Sequence, residues 1–313
     1  IYLMGTLFVM ISLGMNPFVN AQGFGSVGMM TVVLGAAVNI VLDPIFIFLL
    51  NMGVKGAALA TVISQGISAV LCLIYMIRHY PILHMKQDEW KPDGRMLRAL
   101  CGMGIPMGLQ YSITAIGSVI LQTAVNGLGS VVVASMTAGG KLSMFFCCPF
   151  DAFGSTMATY AGQNLGAGKL DRVTKGMVQC SFVAAGYSVV AAVVMILFGK
   201  SFALLFVDST EVEIIANVAK LLIINSLFFI PLALVNIIRF AIQGLGFGKL
   251  AIFAGVAEMV GRSIVGFGFV ARFGFVAACL ASPIAWILAD IFLIPAYAYC
   301  IRKLRPIIQE KKE

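Results

Sequence analysis

Residues 27–50 read VGMMTVVLGAAVNIVLDPIFIFLL, and Asp43 is the one charge among them. As a helix this run rises about 1.5 Å per residue, enough to cross a hydrocarbon layer about 30 Å thick. A strand would be far shorter, and a helix at a water-facing surface would carry a polar face. The rest of the chain repeats the pattern. Of 313 residues, 60% are hydrophobic and 11% charged, with a mean hydropathy of +1.00. An ordinary soluble domain has about 25% charged residues, so there is too little polar surface here to face water. The expected solvent is a lipid bilayer. A soluble globular protein, a disordered chain and a disulfide scaffold are excluded.

Working outward at roughly 20 apolar residues per crossing, candidate spans fall at 1–20, 27–50, 55–79, 97–126, 130–162, 175–199, 213–241, 248–271 and 275–300. Turn residues separate them, as in Gln22-Gly23-Phe24-Gly25, Asn126-Gly127-Leu128-Gly129 and Gly244-Leu245-Gly246. The expected fold is an all-α integral membrane bundle of nine spans. The longest polar stretch, 83–95, with Trp90 and its charged neighbours, reads as a linker between residues 1–82 and 96–313. The seven cysteines form no C-x-x-C pair and read as apolar thiols.

The net charge of +8 is an orientation signal before it is a nucleic-acid signal. With the linker in the cytoplasm, Arg78, Arg95, Arg98, Lys169, Arg172, Lys175, Arg239, Lys249 and Arg302, Lys303 and Arg305 fall on the cytoplasmic side. Lys55, Lys200, Arg272 and the acidic Asp208, Glu211 and Glu213 fall outside. This predicts an inner-membrane protein with a cytoplasmic C-terminus and no nucleic-acid partner.

A shift of 221 residues lays Gln22-Gly23-Phe24-Gly25 on Gln243-Gly244-Leu245-Gly246 and Gly53–Ala60 on Gly274–Ala281 without a gap. Such a repeat predicts two parallel six-helix bundles, a transporter plan. Three helices would then precede Ile1, and the chain's start inside an apolar stretch reads as a cut.

Ionisable groups within spans are costly and therefore candidates for function. Asp43 shares a helix face with Asn39, four residues earlier, and Pro44 removes a backbone donor beside it. A carboxylate, an amide and loosened carbonyls suit a hard cation or a proton; a capping Asp at a helix end is the plainer alternative. Thr61, in the next span, has a hydroxyl to add. Glu258 and Arg262, spaced i, i+4, read most simply as an intrahelical ion pair, with a substrate or proton role at a cavity wall as the alternative. Lys141, Asp151 and Asp290 are unpaired in sequence; Lys141 and Asp290 could pair with each other or line a cavity. Gln110, Tyr111 and Thr114 form a polar stripe that serves either as interhelical glue or as a cavity wall. Gly23-Phe24-Gly25-Ser26-Val27-Gly28 fits G-x-G-x-x-G, but a membrane helix precedes it where the nucleotide motif needs a strand. No nucleophile–base set or Walker lysine is present, so neither an enzyme nor an ATP-driven pump is expected.

Asn39-x-x-x-Asp43-Pro44-Ile45-Phe46-Ile47-Phe48, followed by Gly53-Val54-Lys55-Gly56-Ala57-Ala58-Leu59-Ala60-Thr61, resembles helices five and six of multidrug and toxic compound extrusion (MATE) transporters. Gly104-Ile105-Pro106-Met107-Gly108 resembles the opening of their helix seven, and Tyr160–Gly168 with Arg172 the junction after helix eight. The resemblance implies a two-lobed, twelve-helix transporter of which this chain holds helices four to twelve. It implies antiport by alternating access: export of cationic or amphipathic small molecules from a lipid-embedded monomer, with Na⁺ or H⁺ as the coupling ion and no other cofactor. Asn39, Asp43 and Thr61 match the family's cation-coupling set, as Na⁺ ligands if sodium is used. The acids that some relatives carry on helices seven and ten have no counterpart here. A lipid-linked saccharide flippase and a non-transport membrane bundle are the alternatives.

Overall fold

The computed structural model describes residue 3, residues 5–80 and residues 93–310, and every regular element among them is a helix. Residues 83–92 of the expected linker, Trp90 included, lie outside the described residues. The chain divides into two compact units, Ile1–Asp93 and Gly94–Glu313.

The first unit holds α1 (Thr6–Ala21), α2 (Gly25–Pro44) and α3 (Val54–His79). Pro44 has no N–H to give, and α2 widens behind it into a π-helical turn, Ile45–Leu49, where the Leu50 amide donates to the Ile45 carbonyl at 3.0 Å. Water-free helices hold one another by small residues and polar ties. Asn16 Nδ2 donates to the Gly28 carbonyl (3.0 Å) and to Thr31 Oγ1 (3.2 Å), joining α1 to α2. Ser68 Oγ donates to the Thr31 carbonyl at 3.1 Å, joining α3 to α2.

The second unit runs α4 (Gly94–Asn126), α5 (Ser130–Gly166), α6 (Leu170–Ala203), α7 (Val212–Leu227), α8 (Phe229–Gly244), α9 (Gly248–Ile264), a π turn (Val265–Phe269) and α10 (Val270–Glu310). Helix α8 is its axis: eleven of its sixteen residues are buried. Phe150, Phe229, Met195, Leu222, Ile237 and Leu293 fill the core around it. A Cβ added at Gly261 would stand 2.9 Å from Ala285 Cα, so that glycine lets α9 and α10 touch backbone to backbone.

Among the described residues six helices are long and apolar enough to cross a membrane, and the bent α7–α8 pair, taken as one span, makes a seventh. Helix α1, at 16 residues, is shorter than the roughly 20 a crossing needs. The continuous stretch Gly248–Gln309, 62 residues, would be about 93 Å long. It is interrupted at Gly274, whose φ of 59° and ψ of −137° are not helical. The expected single span 213–241 is instead α7 and α8 meeting at 55°. Pro231 explains the break: its ring excludes the carbonyl of Leu227 one turn earlier, so α8 starts afresh with the proline in its first turn.

The repeat is visible in backbone angles, with a correction to its register. Gly53 (φ 55°, ψ −133°) and Gly274 (φ 59°, ψ −137°) match at the expected shift of 221. At the other junction Phe24 (φ −102°, ψ 49°) matches Phe247 (φ −97°, ψ 41°), a shift of 223. The two copies differ by two residues between these points. Helix α2, with 20 residues before its π turn, is three longer than α9 with 17, and the path from the π turn to the glycine is one residue shorter in the first copy.

Candidate functional site

In the first unit a cavity of about 480 Å³ opens among α1, α2 and α3. Asn39 and Thr61 both line it, with Ser12, Asn16, Ser64, Gln65 and Ser68 among its other walls. Thr61 Oγ1 donates to the Ala57 carbonyl (2.9 Å), which leaves its lone pairs facing outward as acceptors. Asn39 Nδ2 and Asp43 Oδ1 are both buried with no hydrogen-bond partner. Orphaned polar atoms of this kind cost roughly 1–3 kcal/mol each unless something satisfies them. Asp43 is not part of the cavity wall. It lies one turn along α2, where Pro44 and the π turn begin.

The second unit holds a buried ionic cluster. Glu258 on α9 is bridged on both sides, Oε1 to Arg239 Nη1 at 3.1 Å and Oε2 to Arg262 Nη2 at 3.3 Å. Arg239 Nη2 also donates to Asn236 Oδ1 on α8, and Arg262 Nη1 donates to the Thr114 carbonyl on α4 at 3.4 Å. Beside them Gln243 Nε2 donates to Gln110 Oε1 at 2.9 Å, tying α8 to α4. Asp290 on α10, 8% exposed, lies within Coulombic range of Glu258 and keeps one carboxylate oxygen without a partner. Two guanidiniums thus face one bridging glutamate. A smaller cavity of about 210 Å³ sits at the α7–α8 break, with Asn225 Oδ1 and Ser143 Oγ unpartnered on its wall.

Several expectations change. Glu258–Arg262 is an i, i+4 pair but not a self-contained one, because Arg239 shares the carboxylate. Arg239, expected at the cytoplasmic surface, is 8% exposed in the heart of the unit. Lys141 is exposed and forms no ion pair with Asp290 among the described residues, where Asp290 stands beside Glu258 instead. Tyr111 and Asp151 are exposed on the unit's surface, whereas Gln110 is 1% exposed and is interhelical glue.

Arg239 was missed because a cation at a span's expected end reads as a loop residue. Its spacing from Asn236 and Gln243, three and four positions, would have marked a polar face on α8. The cavity residues Ser12 and Asn16, and Ser64 and Ser68, show the same i, i+4 signal on α1 and α3.

A family model described as MatE matches residues 106–268, just over half of the chain. The chain is 28% identical over 213 residues to a probable multidrug resistance protein, YpnP, of Bacillus subtilis, covering 67% of this chain and 47% of that protein. It is 29% identical over 142 residues to the multidrug export protein MepA of Staphylococcus haemolyticus, covering 45% of this chain and 31% of that one. The chain thus spans about half or less of the curated relatives it matches. Among solved structures, a MATE in complex with MaL6 matches with a TM-score of 0.90 at 20% identity, covering 97% of this chain and 69% of that one. An outward-facing multidrug resistance MATE transporter gives the same TM-score and identity over 96% and 68%.

Proposed function

The chain belongs to the MatE family, and from that premise we propose that it exports cationic or amphipathic small molecules in exchange for Na⁺ or H⁺. The names of its relatives support export of multiple drugs, a transport activity and not an enzymatic one. The single observation that carries the coupling proposal is Asp43 Oδ1, a carboxylate oxygen buried without a hydrogen-bond partner beside a π turn, one helical turn from Asn39, which shares its cavity with Thr61. An amide oxygen, a carboxylate and a hydroxyl are the ligands a hard cation takes, and the carboxylate alone seats a proton.

Occupancy drives a cycle only if the ion binds one conformation better than the other. A cation on Asp43 neutralises a charge that is expensive within the bilayer, so its arrival stabilises the conformation in which the carboxylate is buried. Asp43→Asn keeps the shape and removes the charge. In proteoliposomes, dye efflux driven by a Na⁺ or pH gradient should then fall by about tenfold, an ordinary size for a coupling free energy. Unchanged gradient-driven efflux would remove Asp43 from the coupling role.

A further inference from the structure

A second site lies where α6 begins and α10 approaches its end, about two helical turns beyond Asp290. Two cavities meet there, of about 490 and 280 Å³, and share Arg305 and Gln309. The larger is lined also by Thr174, Tyr297 and Arg302, the smaller by Lys169 and Arg172 at the start of α6. Tyr297 is 7% exposed, and its hydroxyl is buried on the wall of the larger cavity, with the Thr174 side chain as its hydrogen-bonding neighbour. Each of these two hydroxyls has both a proton and lone pairs, so the pair can turn its donors to a ligand oxygen in the cavity.

The charges name the ligand. Residues 168–175 and 297–309 carry Lys169, Arg172, Lys175, Arg302, Lys303 and Arg305 against a single carboxylate, Asp171. The Arg305–Asp171 contact is 3.8 Å long and exposed on both sides, so it does not occupy the guanidinium. Lys169 occupies the N-cap of α6 with no side-chain cap, and the positive end of that helix adds to the field. Two arginines, a phenol, a threonine hydroxyl and an amide around one cavity form a donor set for a phosphate group, which guanidinium forks bind bidentately.

Exposed apolar side chains lead away from this cavity along both helices. On α6, Val178 and Phe182 follow Thr174 at steps of four. On α10, Ile294, Ile291 and Ile287 follow Ala298 back along one face at steps of four, three and four. A free phosphate would use only the polar end. We propose that this site binds an anionic phospholipid, with its phosphate among Thr174, Tyr297, Arg302, Arg305 and Gln309 and its acyl chains along the apolar stripes of α6 and α10. The site does not depend on how transport is coupled.

The test is native mass spectrometry of the full chain, released from detergent after incubation with phosphatidylglycerol or phosphatidylcholine. Phosphatidylglycerol should be retained and phosphatidylcholine should not. Arg302→Ala/Arg305→Ala should lower retention by about tenfold, and Tyr297→Phe, which keeps the packing, by about threefold, as expected for losing charged and neutral hydrogen bonds. Lys249→Ala, an exposed cation outside the cavity, should retain lipid as the parent does. Equal retention of both lipids, unchanged binding in Tyr297→Phe and the double variant, or an equal loss in Lys249→Ala would overturn the proposal. So would full displacement by millimolar inorganic phosphate, which would assign the pocket to a soluble anion.

Discussion

Glu258 is the residue on which the second unit's buried charge turns. With both oxygens engaged by arginines on two helices, its removal leaves two buried guanidiniums without their carboxylate. Breaking a buried pair in this way costs about 3–5 kcal/mol. Glu258→Ala should therefore lower the melting midpoint of the purified chain in detergent much more than Arg262→Ala, which leaves Glu258 still paired to Arg239. Equal small shifts for both would show that the cluster is solvated. From the sequence, Glu258 and Arg262 were legible because they lie one helical turn apart. Arg239 was not, because nineteen residues and a chain reversal separate it from its carboxylate. On α2 the pattern was legible to a finer degree: Asn39 and Thr61 do share a cavity, while Asp43 lies a turn beyond its wall.

At the scale of the element, both copies of the repeat combine a π turn with a glycine in a backbone region closed to other residues. Gly53 and Gly274 have open space around them, so a methyl group there would touch nothing. Gly53→Ala and Gly274→Ala should nonetheless each destabilise by about 1–3 kcal/mol through backbone strain alone. Gly261→Ala should also destabilise, for the opposite reason: its conformation is helical, but its Cβ would meet Ala285. Thermal midpoints of the three variants, with Gly14→Ala in open helical space as a neutral control, test this; a destabilised Gly14→Ala would contradict it. The sequence placed these junctions correctly by their turn residues. It did not show the two-residue offset between copies, because a gap-free match of Gly and Ala scores as well as the true register. The α7–α8 break had its signal in Asn225-Ser226 and Pro231, which the apolar residues on either side outweighed in the reading of a single span.

For the molecule as a whole, the charges make a prediction about sidedness. The end of the second unit that carries Lys169, Arg172, Arg302 and Arg305 should face the cytoplasm, and Asp208, exposed between α6 and α7, should face outward. In a background with the seven native cysteines replaced, Asp208→Cys should react with a membrane-impermeant maleimide on intact cells. Arg302→Cys should react only after permeabilisation. The reverse labelling would invert the orientation and move the proposed lipid site to the outer leaflet.

The sequence alone determined that this chain lives in a bilayer, that it is helical throughout its spans, where most helices end, and which family it resembles. Those properties follow from composition and from spacings of three, four and seven residues, which are local. Only the tertiary structure decided that Arg239 belongs to Glu258, that Gln110 meets Gln243, and that Arg305 and Tyr297 share a cavity edge with the start of α6. Each of those pairings joins residues from different helices, and in a membrane every long helix is apolar enough to pack against several partners. Helix crossings and small-residue contacts choose among them, and a one-dimensional pattern does not encode that choice.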